Sequence, residues 1–305
     1  MAGYLFKRTF FAFATFLVVV SAVFFLLRAA PGGPFDGERR LPPDIEANLQ
    51  AAYHLDEPLA QQYARYLGNL AQGDLGPSFR QKDFSVSELI ALGLPTSVLL
   101  GLSALAIAVL VGTGVGIAAS LSPGSGMDRS LMALNNVSIA VPTIVTAPAL
   151  VLLFAVILTW LPAGGSGSLQ HFVLPAIALA LPYAAAVARL IRGAMIEAAA
   201  ETHVLTARAK GLSQARIIRR HMLPIAAVPL ISFLGPTAAG LLTGSVVVEQ
   251  IFDLPGIGRY FVQGALARDY TLVMGVVVVY SSAILSFNLL VDLAYGWLDP
   301  RIRAA

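Results

Sequence analysis

The chain has no cysteine, little charge and only four histidines among its 305 residues. Without cysteine there is no disulfide framework, no thiolate metal site and no cysteine nucleophile. The histidines, His54, His171, His203 and His221, all lie away from the middle of the apolar runs, and no His-Glu-x-x-His pattern occurs, which excludes a helical zinc site of that type. Lys7, Lys82 and Lys210 follow Phe, Gln and Ala, so there is no Gly-Lys pair to cradle a nucleotide phosphate. Gly164-Gly165-Ser166-Gly167 has the form of a serine-nucleophile turn, but the later apolar runs supply no histidine as its base. Charged residues make up 12% of the chain, against about 25% in an ordinary soluble domain.

What is abundant is apolar surface, at 57% hydrophobic residues and a mean hydropathy of +0.77. Lipid is the solvent for most of such a chain. A formal charge of +3 and a pI near 9.3 bring no basic stripe interleaved with aromatics, so nucleic acid is not an expected partner. A helix crosses the hydrocarbon core with about 20 apolar residues. Uncharged stretches predict one span in Phe10 to Leu27, one in Leu89 to Met127, and two in Ser130 to Ala188 on either side of the loop-like Leu161 to Ser168. Met222 to Val248 and Tyr270 to Val291 complete six spans.

With a cytosolic amino terminus, the inside segments carry Lys7, Arg8, Arg129, Arg189, Arg192, Arg208, Lys210, Arg216, Arg219, Arg220, Arg301 and Arg303, while acids such as Asp36, Glu38, Asp56, Glu57 and Asp74 fall outside. The positive-inside rule therefore places both termini in the cytosol. The first span is expected to be an uncleaved anchor, because its apolar run exceeds the roughly 7–15 residues of a signal-peptide core. Outside, Pro31 to about Glu88 forms an insert that is helical in pattern around Ile45 to Tyr53 and Leu59 to Leu70. Inside, Arg189 to His221 is basic, Ala-rich and helix-prone. Asp292 is the one carboxylate read as lying within a span, which argues against the buried ionisable groups of an ion-coupled transporter. Pro142, Pro148, Pro175, Pro182, Pro229 and Pro236 would kink helices, either lining a passage or only packing spans together.

The inside segment reads Thr206-Ala207-Arg208-Ala209-Lys210-Gly211-Leu212, with Leu223-Pro224 following at a fixed distance from Gly211. It resembles the coupling loop of binding-protein-dependent ABC importer permeases, in the variant of the peptide and nickel importers. Leu205-Thr206 replaces Glu-Ala of the general pattern, and His221 stands where Ile is usual. Ala30 to Phe35, Tyr53 to Pro58, Gly73 to Phe79, Trp160 to Gly165, Leu254 to Gly258 and Leu298 to Arg303 extend the resemblance over nearly the whole chain. Gly37 to Pro43 and Thr243 to Glu249 point more narrowly to the B-type subunit of the oligopeptide branch.

The resemblance implies an all-α permease of type I importer fold with six transmembrane helices in a bacterial inner membrane. Residues 1–93 would be the first helix and periplasmic insert, 94–298 the permease domain with a coupling loop over 197–224, and 299–305 a cytosolic tail. It implies a second homologous permease, two cytosolic ABC ATPases and an external peptide-binding protein as partners, besides the bilayer. The chain itself would be non-catalytic and bind no cofactor, with ATP-Mg used by the ATPases, and peptide would cross by alternating access. Leu205, Thr206, Ala207, Arg208, Lys210, Gly211, Leu212, Arg216, Leu223 and Pro224 are the residues expected to dock on an ATPase. Dipeptide, nickel or glutathione import is the near alternative, and ion-coupled secondary transport the distant one.

Overall fold

The computed structural model of the chain describes residues 2–33, 50, 53–81 and 83–298. Apart from an isolated bridge between Pro77 and Ser85, the regular structure of these residues is helical. In chain order the helices are α1 (Ala2–Ala29), α2 (Leu59–Ala71), α3 (Val86–Ser120), α4 (Gly126–Ala140), α5 (Thr143–Leu150), α6 (Val173–Ala199), α7 (Thr202–Ala209), α8 (Gln214–Ile217), α9 (Leu223–Ile251), α10 (Ile257–Ala267) and α11 (Tyr270–Leu298).

Phe6–Ala29, Val86–Ser120, Leu169–Ala199, Gln214–Ile251 and Tyr270–Leu290 are each long and apolar enough to cross a membrane. The sixth expected span is not one straight helix. It is the pair α4 and α5, the latter continued by a π-helical stretch at Val151–Ile157, bent by 106° at the junction. Pro142 explains the corner. A residue before proline is pushed out of the α region, and Val141 is extended at φ −87°, ψ 118°. The carbonyl of Pro142 then accepts from Val145 and Thr146 and starts α5. Pro148 removes a further donor inside α5 just before the widened turn. The expected helix at Leu59 to Leu70 is α2, whereas the one at Ile45 to Tyr53 and the motif at Gly37 to Pro43 fall largely or wholly outside the described residues. Pro95, inside α3, was not among the expected kinking prolines, and α10 was too short and amphipathic to register as a span.

The chain divides into two compact units. The first comprises residues 97–254 and 286–305. Its core is α6, buried along Leu174, Ala178, Leu179, Val187, Ile191 and Met195. α3 reaches it through glycine: a Cβ on Gly112 would lie 2.5 Å from the Ala184 carbonyl oxygen, and one on Gly116 2.6 Å from that of Ala188. These glycines are four residues apart, hence one above the other on a helix, the small-residue spacing by which membrane helices bring backbones together. α4 is pinned to the same helix by Asn135, whose Nδ2 donates to the Ala185 carbonyl at 2.7 Å.

The second unit comprises residues 2–96 and 255–285. Val20 and Phe24 of α1 pack with Met274 and Val278 of α11 and with Tyr63 and Tyr66 of α2. Asp269 is fully buried before α11 and collects the donors around it. Its carboxylate accepts from the Leu272 N–H at 3.1 Å, the Thr271 hydroxyl at 2.9 Å and the Ser78 hydroxyl. Arg80 adds a bond from Nε to the Ala267 carbonyl at 2.9 Å, so the loop after α2 is tied to the α10–α11 turn.

Replacing Gly112 or Gly116 by alanine forces the α3 and α6 backbones apart and is expected to destabilise by about 1–3 kcal/mol, the usual cost of overpacking. Gly114, whose Cβ would meet nothing within 4 Å, is the control, and its alanine variant should be neutral. Thermal unfolding of the three variants in detergent checks this, and equal midpoints would remove the close-approach argument.

Candidate functional site

The basic segment after α6 folds as two short helices set against the end of α6. α7 begins after Glu201 and ends in a Schellman motif. The Leu212 N–H bonds to the Ala207 carbonyl at 3.2 Å, and the Gly211 N–H to that of Arg208 at 2.9 Å. This reversal needs φ > 0 at the residue after the cap, and Gly211 has φ +75°. Ser213 is extended and its carbonyl accepts from Arg216 and Ile217, opening α8. A π-helical turn at Ile218–Met222 then leads into α9, where Pro224 occupies the first turn.

One face of this hairpin belongs to the protein's own core. Val204, Ala207 and Ile217 are buried with Ile191, Met195 and Ala198 of α6, and Leu212 and Leu223 are half-buried against the same cluster. The other face is exposed: Leu205 is 51% accessible, and Thr206, Arg208, Lys210, Gly211, Arg216 and Pro224 stand with it in solvent. The expected site residues thus divide. Ala207 and Leu212, which match the motif, serve the fold of the hairpin, while Leu205 is its exposed apolar side chain. Arg208, Lys210 and Arg216 form no ion pair among the described residues.

Nearby, α6 is held by a half-buried ion pair. Arg192 Nε and Nη2 donate to the two Asp128 carboxylate oxygens at 2.6 and 2.7 Å, a bidentate arrangement. Asp128 also accepts the Gly124 N–H at 2.8 Å, which fixes the α3–α4 turn. Arg192 falls in the basic, helix-prone segment Arg189 to His221, and α6 runs on past it to Ala199. One correction concerns carboxylates in spans. Glu249 lies inside α9, fully buried, and accepts from the Ser97 hydroxyl at 2.7 Å. The uncharged run was broken off at Val248, one residue short of it, whereas the helix continues to Ile251. The side chain of Asp292 and the tail after Leu298 lie outside the described residues.

Among the described residues no group of three His, Asp or Glu side chains is placed to hold a metal ion. His203 and His221 approach at 6.1 Å between ring centres, a pair that sequence separation conceals and the hairpin creates. The loop at Trp160 to Gly165 docks through the Gly165 N–H on the Phe252 carbonyl at 2.8 Å, at the end of α9.

The fold is that of an ABC transporter permease. It is similar to a chain of the methionine ABC transporter MetNI in an inward-facing conformation, with TM-score 0.54 and 20% identity over 68% of this chain and 96% of that one. Residues 108–304 match the model of the binding-protein-dependent transport system inner membrane component. Over its whole length the chain is similar to the oligopeptide transport system permease protein OppB of Haemophilus influenzae, at 46% identity covering 99% of this chain and 100% of that protein. The dipeptide transport system permease protein DppB of Bacillus subtilis is 42% identical, covering 99% and 98%. The chain belongs to the family of inner-membrane components of binding-protein-dependent transport systems.

Gly211→Val places a branched side chain at φ +75° and should cost about 1–2 kcal/mol, the penalty of the left-handed region. Gly211→Asn, whose short polar chain tolerates that region, should recover most of it. Thermal midpoints of the purified variants decide, and equal loss in both would show that space, not backbone angle, governs this position.

Proposed function

We propose that the chain is a permease subunit of an ATP-driven oligopeptide importer, with peptide crossing by alternating access and the α7–α8 hairpin docking on a cytosolic ATPase. The full-length identity to an oligopeptide permease protein carries the substrate assignment. The exposed face of the hairpin supports the docking. Leu205 supplies apolar surface, with Arg208, Lys210 and Arg216 around it as cations for acids on a partner. The inward face of the same hairpin packs on α6, so a push on the hairpin would be delivered to that helix.

In this reading the chain performs no hydrolysis. ATP-Mg is bound and hydrolysed by two partner ATPases, a second homologous permease completes the membrane part, and an external binding protein delivers peptide. Residues 1–93, 94–298 and 299–305 serve as anchor and insert, permease domain and tail, with both termini in the cytosol. Dipeptide import is the second reading, supported by the 42% identity to a dipeptide permease protein over almost the full length.

The test is uptake of labelled di-, tri- and pentapeptides into proteoliposomes holding the full complex and its binding protein. Uptake is expected to require ATP, to survive collapse of ion gradients, and to favour tri- and pentapeptides. Leu205→Glu should keep the unfolding midpoint and abolish uptake. A buried leucine contributes about 1.5–3 kcal/mol, or roughly ten- to a hundredfold in docking affinity. Normal uptake by that variant would overturn the docking assignment. A dipeptide preference would favour the second reading, and loss of uptake with the ion gradient would overturn the ATP-driven one.

A further inference from the structure

A cavity of about 180 Å³ lies within the unit of residues 2–96 and 255–285, walled by Arg28 from α1, Gln62 and Tyr66 from α2, and the rings of Tyr53 and Phe79. Arg28 is half-buried, with its guanidinium carbon 3.5 Å from the centre of the Phe24 ring. Its Nε donates to Gln62 Oε1 at 2.9 Å and Nη1 reaches the Phe24 carbonyl at 3.4 Å. Nη2 has no acceptor among the described residues, and none of their carboxylates pairs with this guanidinium.

Of the neighbouring acids, Glu57 pairs with Arg65 and His54 through Oε1 while its Oε2 is buried without a partner among the described residues, and Asp74, on the cavity wall, accepts the Gly76 N–H at 2.8 Å; neither bonds to Arg28. Gln62 has nothing left to offer, because its Nε2 donates to the carbonyls of Leu55 and Glu57. Tyr66 is the second donor without an acceptor. Its hydroxyl is buried and has no hydrogen-bond partner among the described residues. Burial pushes its phenol up against the opposing pull of the Arg28 charge, so the hydroxyl keeps its proton and has it to donate.

The Arg28 guanidinium, half-buried, cannot shed its charge, and the buried Tyr66 hydroxyl is a donor without an acceptor, a cost that folded proteins avoid. One oxyanion in the cavity answers both groups. Arg28 also occupies the last turn of the Phe6–Ala29 span, at the depth where headgroups meet the hydrocarbon. We propose that this cavity is a phosphate-type oxyanion site, with Arg28 and Tyr66 as its donors and an anionic phospholipid headgroup or free phosphate as its occupant.

The test is native mass spectrometry of the full chain, stripped of lipid in detergent and offered phosphatidylglycerol, phosphatidylcholine or inorganic phosphate. Wild type should hold one phosphatidylglycerol in preference to phosphatidylcholine. Arg28→Gln should weaken that binding by about tenfold or more, the size of one hydrogen bond to a charged group, and Tyr66→Phe should weaken it severalfold. Inorganic phosphate that binds in place of the lipid, and is lost in the same variants, assigns the site to a soluble anion. Equal binding of both probes by wild type and variants, or binding of neither, overturns the proposal. Should Arg28→Gln fail to purify as a folded chain, Tyr66→Phe decides alone, since it keeps the ring and removes only the donor.

Discussion

In the unit of residues 97–254 and 286–305 the structure depends on how closely two backbones approach. Lipid gives helices no hydrophobic reason to associate, so contact area and internal hydrogen bonds must hold them. α6 is where this is achieved. Gly112 and Gly116 let α3 lie against it, Asn135 bonds directly to its backbone, and Asp128 grips Arg192 further along. The α7–α8 hairpin then stacks on its last turns through Val204, Ala207 and Ile217. A helix fixed along its length by such contacts is suited to move as a body, which is what the proposed docking of the hairpin on an ATPase would require.

Much of this was legible in the sequence. Runs without charge located five long helices because lipid tolerates no other composition over that length. Their ends were less visible. α9 continues past Val248 to Ile251 because Glu249 is buried with a hydroxyl partner, whereas α3 starts ahead of Leu89 at Val86, where exposed Glu88 and Ser85 bond to each other across its first turn. The corner at Pro142 was readable as a kink, but not as a 106° bend, because the angle is set by the extended backbone of Val141 rather than by proline alone.

The candidate site shows a different limit. Spacing from Gly211 to Leu223-Pro224 identified the hairpin, and the glycine's left-handed φ follows from the turn it makes. Which residues face outward did not follow. Along this segment a residue that packs the hairpin, such as Ala207, and one that stands exposed, such as Leu205, cannot be told apart by spacing, and only burial separates them. Arg28 and Tyr66 carried no motif at all. They are far apart in the chain, and what singles them out is a missing acceptor, a property of three-dimensional neighbourhood alone.

The glycines of α3 also constrain how this chain can change. No amino acid is smaller, so drift at Gly112 and Gly116 has only one direction, toward more volume, and each such step meets a backbone oxygen of α6 that has no rotamer by which to retreat. A compensating substitution on α6 cannot restore the fit, because the obstructing atom is common to all twenty residues. The pair therefore acts as a one-way lock on the sequence, while the side chains around Val187 and Ile191 remain free to exchange volume with one another.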